Sequence, residues 1–266
     1  MEVKFYKYQG TGNDFVMIDN RQECFPVEDQ ALISRLCHRR FGIGADGLIL
    51  IQNHADFDFE MVYFNADGKK GSFCGNGGRC SVAFANRLGM AKDHTEFWAA
   101  DGLHRAKLDQ EGLIWLQMTQ VKHLQPYRNG YFLNTGSPHV VLFEKNIDRF
   151  PVFEEGQKIR WSEEFAPGGT NVNFVEVITK ESIFVRTYER GVEEETYSCG
   201  TGVTAAALAH YYNCHSLPSS AERVINVQTR GGNLKVAFHY KEGIFFDIWL
   251  IGPAECVFSG QIQLFA

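Results

Sequence analysis

Two short stretches constrain this chain of 266 residues more than any other feature. The first is Phe73-Cys74-Gly75-Asn76-Gly77-Gly78-Arg79; the second is Ser198-Cys199-Gly200-Thr201-Gly202-Val203. Each reads Cys-Gly-polar-Gly, and each runs into a small-residue helical pattern, from Ser81 in one case and from Thr204 in the other. A cysteine at a helix start lies beside unpaired backbone N–H groups and the positive end of the helix dipole, which favour a thiolate. One such cysteine suggests a nucleophile. A matched pair, one in each half of the chain, suggests two groups acting on one substrate from two sides.

The match extends beyond the cysteines. Gly12-Asn13-Asp14-Phe15-Val16 resembles Gly136-Ser137-Pro138-His139-Val140, an offset of 124 residues from Gly12 to Gly136. Tyr63-Phe64-Asn65 resembles Thr187-Tyr188-Glu189, a strand ending in a turn. The offset from Cys74 to Cys199 is 125 residues, and Ala99-Ala100-Asp101-Gly102 then resembles Gln228-Thr229-Arg230-Gly231. Landmarks recurring in one order at near-constant offset imply two copies of one unit. Strand-like composition dominates both copies: 15–19, 48–52, 57–64, 106–108 and 113–118 in the first, and 131–134, 140–144, 171–178, 183–188, 224–227, 234–240 and 244–249 in the second. Helical patterns are few: 28–38 and the two segments after the cysteines, which are apolar nearly all round and therefore enclosed by other structure. The expected class is α/β (α+β), a strand-rich unit enclosing one apolar helix, used twice. The natural boundary is Val121 to Asn129.

A formal charge of −6 argues against nucleic acid as a partner. The apolar runs are too short to cross a bilayer as helices. The seven cysteines, Cys24, Cys37, Cys74, Cys80, Cys199, Cys214 and Cys256, are odd in number and contain no Cys-x-x-Cys pair. That pattern predicts a reducing, cytoplasmic compartment and no metal site. The opening residues read as a strand and not as a targeting segment.

Paired thiols suit proton transfer at an amino-acid α-carbon. One thiolate takes the proton from one face, a thiol returns one to the other, and the reverse reaction uses the same pair. Free backbone N–H groups at the two helix starts can bind one carboxylate and the charge that develops beside it. The competing reading of a lone cysteine is a small buried hydrophobe; two in matching turns weigh against it. Asn13 and Asn65 are turn asparagines or substrate contacts. Asn171 and Asn173 face one side of a strand, so one is free to meet substrate while the other satisfies structure. Arg190 is a candidate for bidentate carboxylate binding, and Glu189 for an ammonium group or for tuning a thiol. His139 is a thiol-tuning imidazole or a satisfied core residue. His38, His94, His123 and His215 are read as structural or surface.

These motifs resemble those of the diaminopimelate epimerase family: Gly-Thr-Gly-Asn-Asp-Phe at 10–15, Phe-Gly-Ile-Gly-Ala-Asp-Gly at 41–47, Phe-Asn-Ala-Asp-Gly at 64–68, Cys-Gly-Asn-Gly-Gly-Arg-Cys at 74–80, Gly-Ser-Pro-His at 136–139, Thr-Asn-Val-Asn-Phe at 170–174, Tyr-Glu-Arg-Gly at 188–191 and Glu-Thr-Tyr-Ser-Cys-Gly-Thr-Gly at 195–202. The resemblance implies two pseudo-symmetric domains, each a strand barrel around a central helix, with the active site in the cleft between them. It implies bounds of 1–122 plus 254–266 for the first domain and 123–253 for the second, the last strand returning to the first domain. It implies a cofactor-independent epimerase that interconverts LL- and meso-diaminopimelate, on the path to lysine and peptidoglycan, often as a homodimer. Carried over by motif, Cys74 and Cys199 are the catalytic acid/bases. Asn13, Asn65, Gly75, Asn76, Asn171, Glu189, Arg190, Gly200 and Thr201 bind substrate. His139 and Glu189 tune the thiols.

The chain departs from the family at Gly47, where members often carry Gln, and at Ser137, where they often carry Asn. The alternatives are a related racemase or epimerase that needs no pyridoxal phosphate and takes another side chain, and a non-catalytic small-molecule binding protein. Proline racemase-like enzymes and phenazine isomerases share the implied fold, the former with paired cysteines and the latter without.

Overall fold

The computed structural model describes residues 2–214 and 219–264. In chain order the first part contains β1 (Glu2–Gly10), β2 (Asn13–Asp19), α1 (Gln30–Cys37), β3 (Gly47–Gln52), β4 (Phe59–Asn65), α2 (Gly75–Arg87), β5 (His94–Ala99), β6 (Gly102–Leu108) and β7 (Ile114–Met118). Then come β8 (Gln125–Tyr127), β9 (Gly130–Asn134), β10 (Pro138–Phe143), α3 (Val152–Arg160), β11 (Asn171–Thr179), β12 (Ser182–Glu189), β13 (Glu194–Thr196), α4 (Gly200–Cys214), β14 (Ser219–Thr229), β15 (Gly232–Lys241) and β16 (Ile244–Gly252). The last strand is β17 (Glu255–Gln263). Two compact units result: residues 1–116 with 252–266, and residues 117–251. The sequence reading had put these changes of unit at 122/123 and 253/254.

In the first unit the strands pair in the order β17-β1-β2-β3-β4-β5-β6-β7. All contacts are antiparallel except β2–β3 and β4–β5. In the second the order is β8-β9-β10-β11-β12-β14-β15-β16, antiparallel except at β10–β11 and β12–β14. The parallel steps fall at equivalent places. Each landmark of the sequence repeat also lands at an equivalent place. Gly12 and Gly136 turn β1 into β2 and β9 into β10, both with positive φ (86° and 103°), a conformation glycine adopts without a Cβ clash. Asn65 and Glu189 end β4 and β12, and Gly75 and Gly200 open α2 and α4. The remaining pair of landmarks forms the β5–β6 and β14–β15 turns. Two copies of one mixed α/β unit are therefore present.

Helix α2 packs against β1, β2, β3, β4, β6 and β17, and α4 against β9, β10, β11, β12, β14 and β15. A helix so surrounded has no polar face, and from Val203 to Tyr211 every residue of α4 is buried. The run Ala205-Ala206-Ala207-Leu208-Ala209 keeps the helix thin enough for strands to approach from every side. On the outer face of the first sheet, Ile33 and Leu36 of α1 pack with Val16, Ile18, Leu48 and Leu50; on that of the second, Val152 and Ile159 of α3 pack with Val140, Leu142, Val172 and Phe174. Strands covered on both faces are continuous apolar runs and not alternating ones. Leu48-Ile49-Leu50-Ile51, all 0 % exposed, is such a run.

Helix α3, strand β5 and the short β8 and β13 were not legible in the sequence. Val-Phe-Glu-Glu-Gly-Gln-Lys-Ile-Arg carries a glycine at mid-helix, which weakens its helical signal. His215 lies outside the described residues. Replacing Leu208 by alanine leaves a cavity at the centre of the second core. We expect this to lower unfolding free energy by about 2–5 kcal/mol, read from the urea midpoint at unchanged slope.

Candidate functional site

The two cysteines occupy the same local position in their own units. Cys74 precedes Gly75 as the N-cap of α2, with extended backbone (φ −118°, ψ 121°), and its carbonyl accepts the Gly78 N–H at 2.7 Å. Cys199 precedes Gly200 at the start of α4, and its carbonyl accepts the Val203 N–H at 2.8 Å. Each cysteine stands at the first turn of a helix, whose leading backbone N–H groups have no partner within the helix. Cys74 is half-buried, and Cys199 is 7 % exposed. Among the described residues no disulfide forms, and no cluster of three or more His, Cys, Asp or Glu side chains is arranged to hold a metal ion.

In the first unit the Cys74 thiol donates to Asn13 Oδ1 at 3.5 Å, and Asn76 Nδ2 donates to the same oxygen at 3.3 Å. The Asn13 amide is oriented from its other end, where Nδ2 donates to Asp46 Oδ2 at 2.7 Å. Asp46 is anchored by Arg39 at 2.7 Å, which also grips Asp14 at 2.8 Å. Burial acts to raise the Asp14 carboxyl, but hydrogen bonds from Arg39 and Lys7 outweigh it and hold the group at about 2. Asp14, Arg39 and Asp46 are a support that the sequence reading missed; Gly-Asn-Asp and Gly-Ala-Asp-Gly carried the signal, as acidic residues beside turn glycines. Asn65 is exposed at the end of β4, where it pairs with Gly47 and starts the turn through Gly68.

In the second unit Cys199 Sγ lies 3.5 Å from Thr201 Oγ1, which lies 2.9 Å from His139 Nε2. Asn173 fixes the tautomer. Its Oδ1 accepts from Thr187 Oγ1 at 2.9 Å, so its Nδ2 donates to Val140 O at 2.9 Å and to His139 Nδ1 at 3.1 Å. Nδ1 is thus the acceptor, Nε2–H donates to Thr201, and the Thr201 hydroxyl is left to donate to Cys199. His139 is 0 % exposed, and burial, aided by the nearby Arg190 charge, pushes its pKa down to about 3. It is a neutral imidazole at physiological pH. Gly202 is required here by close approach: a Cβ would lie 2.4 Å from Asn173 Oδ1. Thr135, in the β9–β10 turn, ties the same helix start down through Thr201 O at 2.9 Å.

Both asparagines on β11 have protein partners at each end of the amide. Asn173 is committed to protein on both ends. Asn171 Oδ1 accepts the Arg190 N–H at 2.9 Å, and its Nδ2 donates to Ser137 Oγ and Pro138 O, both at 2.9 Å. Arg190 is half-buried, with Nη1 on Gly168 O at 3.2 Å and Nη2 on Ser137 Oγ at 3.4 Å. Glu189 accepts from Thr196 Oγ1 at 2.9 Å. Asn171, Ser137 and Arg190 therefore form one polar cluster, with a guanidinium partly open to solvent.

The family model described as diaminopimelate epimerase matches residues 5–124 and 131–257. A curated diaminopimelate epimerase of Flavobacterium psychrophilum is 52% identical over 260 residues, covering 98% of this chain and 100% of the relative. One of Chlorobaculum tepidum is 40% identical over 266 residues, covering 96% and 99%. This chain belongs to the diaminopimelate epimerase family. Among solved structures, a PhzF-family phenazine biosynthesis protein of Bacillus anthracis superposes with TM-score 0.75 at 14% identity, covering 99% of this chain and 100% of that one. A hydroxyproline epimerase of Agrobacterium vitis with bound trans-4-hydroxy-L-proline gives 0.64 at 13% identity, covering 98% and 92%. These structures share the fold.

Within the diaminopimelate epimerase family the two departures now have places. A Cβ at Gly47 would lie 2.5 Å from the Tyr63 ring and 2.5 Å from Phe64 O, so Tyr63 fills the space that a larger residue 47 would claim. Ser137 occupies the centre of the Asn171–Arg190 cluster.

His139 carries a pH dependence whose sign follows from its depressed pKa. The unfolded state, titrating near the ordinary 6.5, binds more protons than the folded state between about pH 6.5 and 3. This contribution is complete above pH 6.5 and is lost as pH falls, by at most about 1.4 kcal/mol per pH unit. His139→Gln removes the titrating group and should flatten that part of the urea-stability profile. Ring-nitrogen NMR of the native protein should show no titration of His139 between pH 5 and 8.

Proposed function

We propose that this isomerase interconverts LL- and meso-diaminopimelate with Cys74 and Cys199 as its acid/base pair. The thiolate of one cysteine removes the α-proton: the C–H bond breaks, an S–H bond forms, and the electron pair remains on the α-carbon. The thiol of the other gives its proton to the opposite face, closing a new C–H bond and leaving that sulfur as thiolate. The pair ends with its roles exchanged, which is what a reversible inversion requires. The reading rests on one observation: each copy of the duplicated unit carries a cysteine at the start of its enclosed helix, held by a polar side chain 3.5 Å from the sulfur.

The backbone N–H groups at 75–76 and 200–201 would take the carboxylate at the reacting carbon and the charge that builds there. Asn13 and Asn76 would orient Cys74; Thr201 and His139 would orient Cys199. Asn65, Asn171, Glu189 and Arg190 would hold the distal amino-carboxylate, with Arg190 the cation for its carboxylate. A substrate with a second polar head explains why a half-buried guanidinium is kept beside Ser137 and Asn171. No pyridoxal phosphate is called for, because the two thiols supply both proton transfers. We further read the enzyme as a cytoplasmic homodimer, the compartment from an odd cysteine count without a Cys-x-x-Cys pair.

Turnover in D2O tests the reaction. LL-diaminopimelate should return meso product with deuterium at the inverted carbon, and Cys74→Ser and Cys199→Ser should each lower kcat by about 100-fold or more. Product free of solvent deuterium would remove the mechanism. Exchange with another amino acid but none with LL-diaminopimelate would move the substrate assignment.

A further inference from the structure

Arg79 differs from the other buried arginines. Arg160 meets Glu193 at 3.0 Å, and Arg186 meets Glu195 at 2.6 Å. Arg79 is 0 % exposed and, among the described residues, forms no ion pair with a carboxylate. Its Nη2 donates to Asn76 Oδ1 at 3.0 Å and to Thr11 Oγ1 at 3.1 Å, its Nε donates to Pro253 O at 3.4 Å, and its Nη1 has no partner among the described residues. An unneutralised buried cation is costly, and neutral donors and acceptors offset only part of that cost. Burial pushes the guanidinium pKa down, yet arginine stays protonated near neutrality.

What this charge faces is specific. Because Nη2 holds Asn76 Oδ1, the Asn76 Nδ2 must turn to Asn13 Oδ1, the atom that receives the Cys74 thiol. Asp46 fixes Asn13 from the far side. The two amides thus have one orientation, set by a cation at one end and a carboxylate at the other. The S–H···O contact at 3.5 Å favours the thiol only weakly, since S–H is a poor donor. The full charge behind Asn76 favours the thiolate through a medium of low dielectric.

The other titratable groups around α2 do not compete. Cys80, on the same helix, is pushed by burial to about 12 and stays a thiol. From β1, Tyr8 is pushed to about 12, and Lys7 is paired with Asp14 at 2.8 Å. Asp14 of β2 and Asp46 share Arg39. From β4, Tyr63 presents a phenol. From β6, His104, stacked on Phe73 at 3.7 Å, is held by Asp101 at 2.8 Å, and Arg105 by Glu96 at 2.7 Å. From β17, Glu255 accepts from Gln9 at 3.1 Å, and Cys256 is exposed. In the second unit the residue at the offset of 125 from Arg79 is Thr204. The Cys199 sulfur meets a neutral donor, the Thr201 hydroxyl at 3.5 Å, with the neutral His139 behind it. The Arg190 charge that acts on His139 is half-buried and held on Gly168 O and Ser137 Oγ.

We propose that Arg79 is a positioning residue for the reaction: it locks the Asn76–Asn13 amide pair against Cys74 and, as the unneutralised cation behind that pair, makes Cys74 the thiolate of the resting enzyme. This rests on the two-thiol reading above. The test does not need turnover. Alkylation of the substrate-free protein by iodoacetamide is followed across pH by peptide mapping, so that Cys74 and Cys199 are read separately. Arg79→Gln keeps donors for Thr11 and Asn76 and removes only the charge; Arg79→Lys keeps the charge. The Cys74 midpoint should rise by about one pH unit, a tenfold loss of thiolate at fixed pH, in Arg79→Gln. It should return most of the way in Arg79→Lys, with the Cys199 midpoint unmoved throughout. An unchanged Cys74 midpoint in folded Arg79→Gln, or equal shifts at both cysteines, overturns the proposal. So does a soluble Arg79→Lys with Arg79→Gln and Arg79→Met both insoluble, which would mark the cation as a requirement of folding alone. Failure here in an enzyme that still incorporates solvent deuterium sinks the role of Arg79 and leaves the two-thiol reaction standing.

Discussion

A helix enclosed by strands must be narrow, and everything at the candidate site follows from that constraint. Large side chains on every face would hold the strands off, so α2 opens with Gly75, Gly77 and Gly78, and α4 carries its alanine run. Such a helix has little polar side-chain chemistry to offer along its length. It offers its N-terminus, where backbone N–H groups emerge together with about half a unit of positive charge. A cysteine at that end gains an electrostatic partner without any added cation. The same enclosure makes every buried polar atom nearby expensive unless paired. This accounts for the chains of amide, hydroxyl and imidazole that run from Asn13 to Asp46 and from Thr201 through His139 to Asn173 and Thr187.

The repeat was legible because turns are written in residue types. Glycines at 12 and 136, the strand ends at 65 and 189, and the two Cys-Gly starts are local signals that need no tertiary context. The cysteines, Asn13 and the Glu189-Arg190 pair were legible for the same reason. What stayed hidden depends on which residues meet across the sheet. Asp46 and Arg39 support Asn13 only because β2 and β3 pair in parallel, with Phe15 opposite Gly47. The partners that Asn171 and Asn173 take depend on the register of β10 with β11, which sets His139 opposite Asn171. The neutral state of His139 depends on its complete burial. Helix α3 was missed because its glycine at 156, a poor helix former, serves a contact in which a Cβ would lie 2.3 Å from Tyr188 Cβ.

The two copies keep the scaffold and change the polar partners. Two residues after its cysteine the first has Asn76 and the second Thr201; where the first has Phe15 in the core, the second has His139. A duplication that began with identical halves would offer two equal thiols, and a proton on either. Differences in the groups behind each sulfur break that equality without touching the strands. Tyr63 at Gly47 and Ser137 at Asn171 are changes of the same kind, in which the strand register is untouched and the space beside a turn is refilled.

Strand β17 pairs with β1 along nearly its whole length, with Val3 opposite Ile262 and Phe5 opposite Gly260. The second unit is thereby inserted into the first. During synthesis from the N-terminus, the inserted unit leaves the ribosome with all its strands before the outer unit receives its last one. The half that contains Cys74 must wait, with the edge of β1 uncovered, until translation has passed residue 255. The half that contains Cys199 is under no such delay, so assembly of this protein runs from the inside outward.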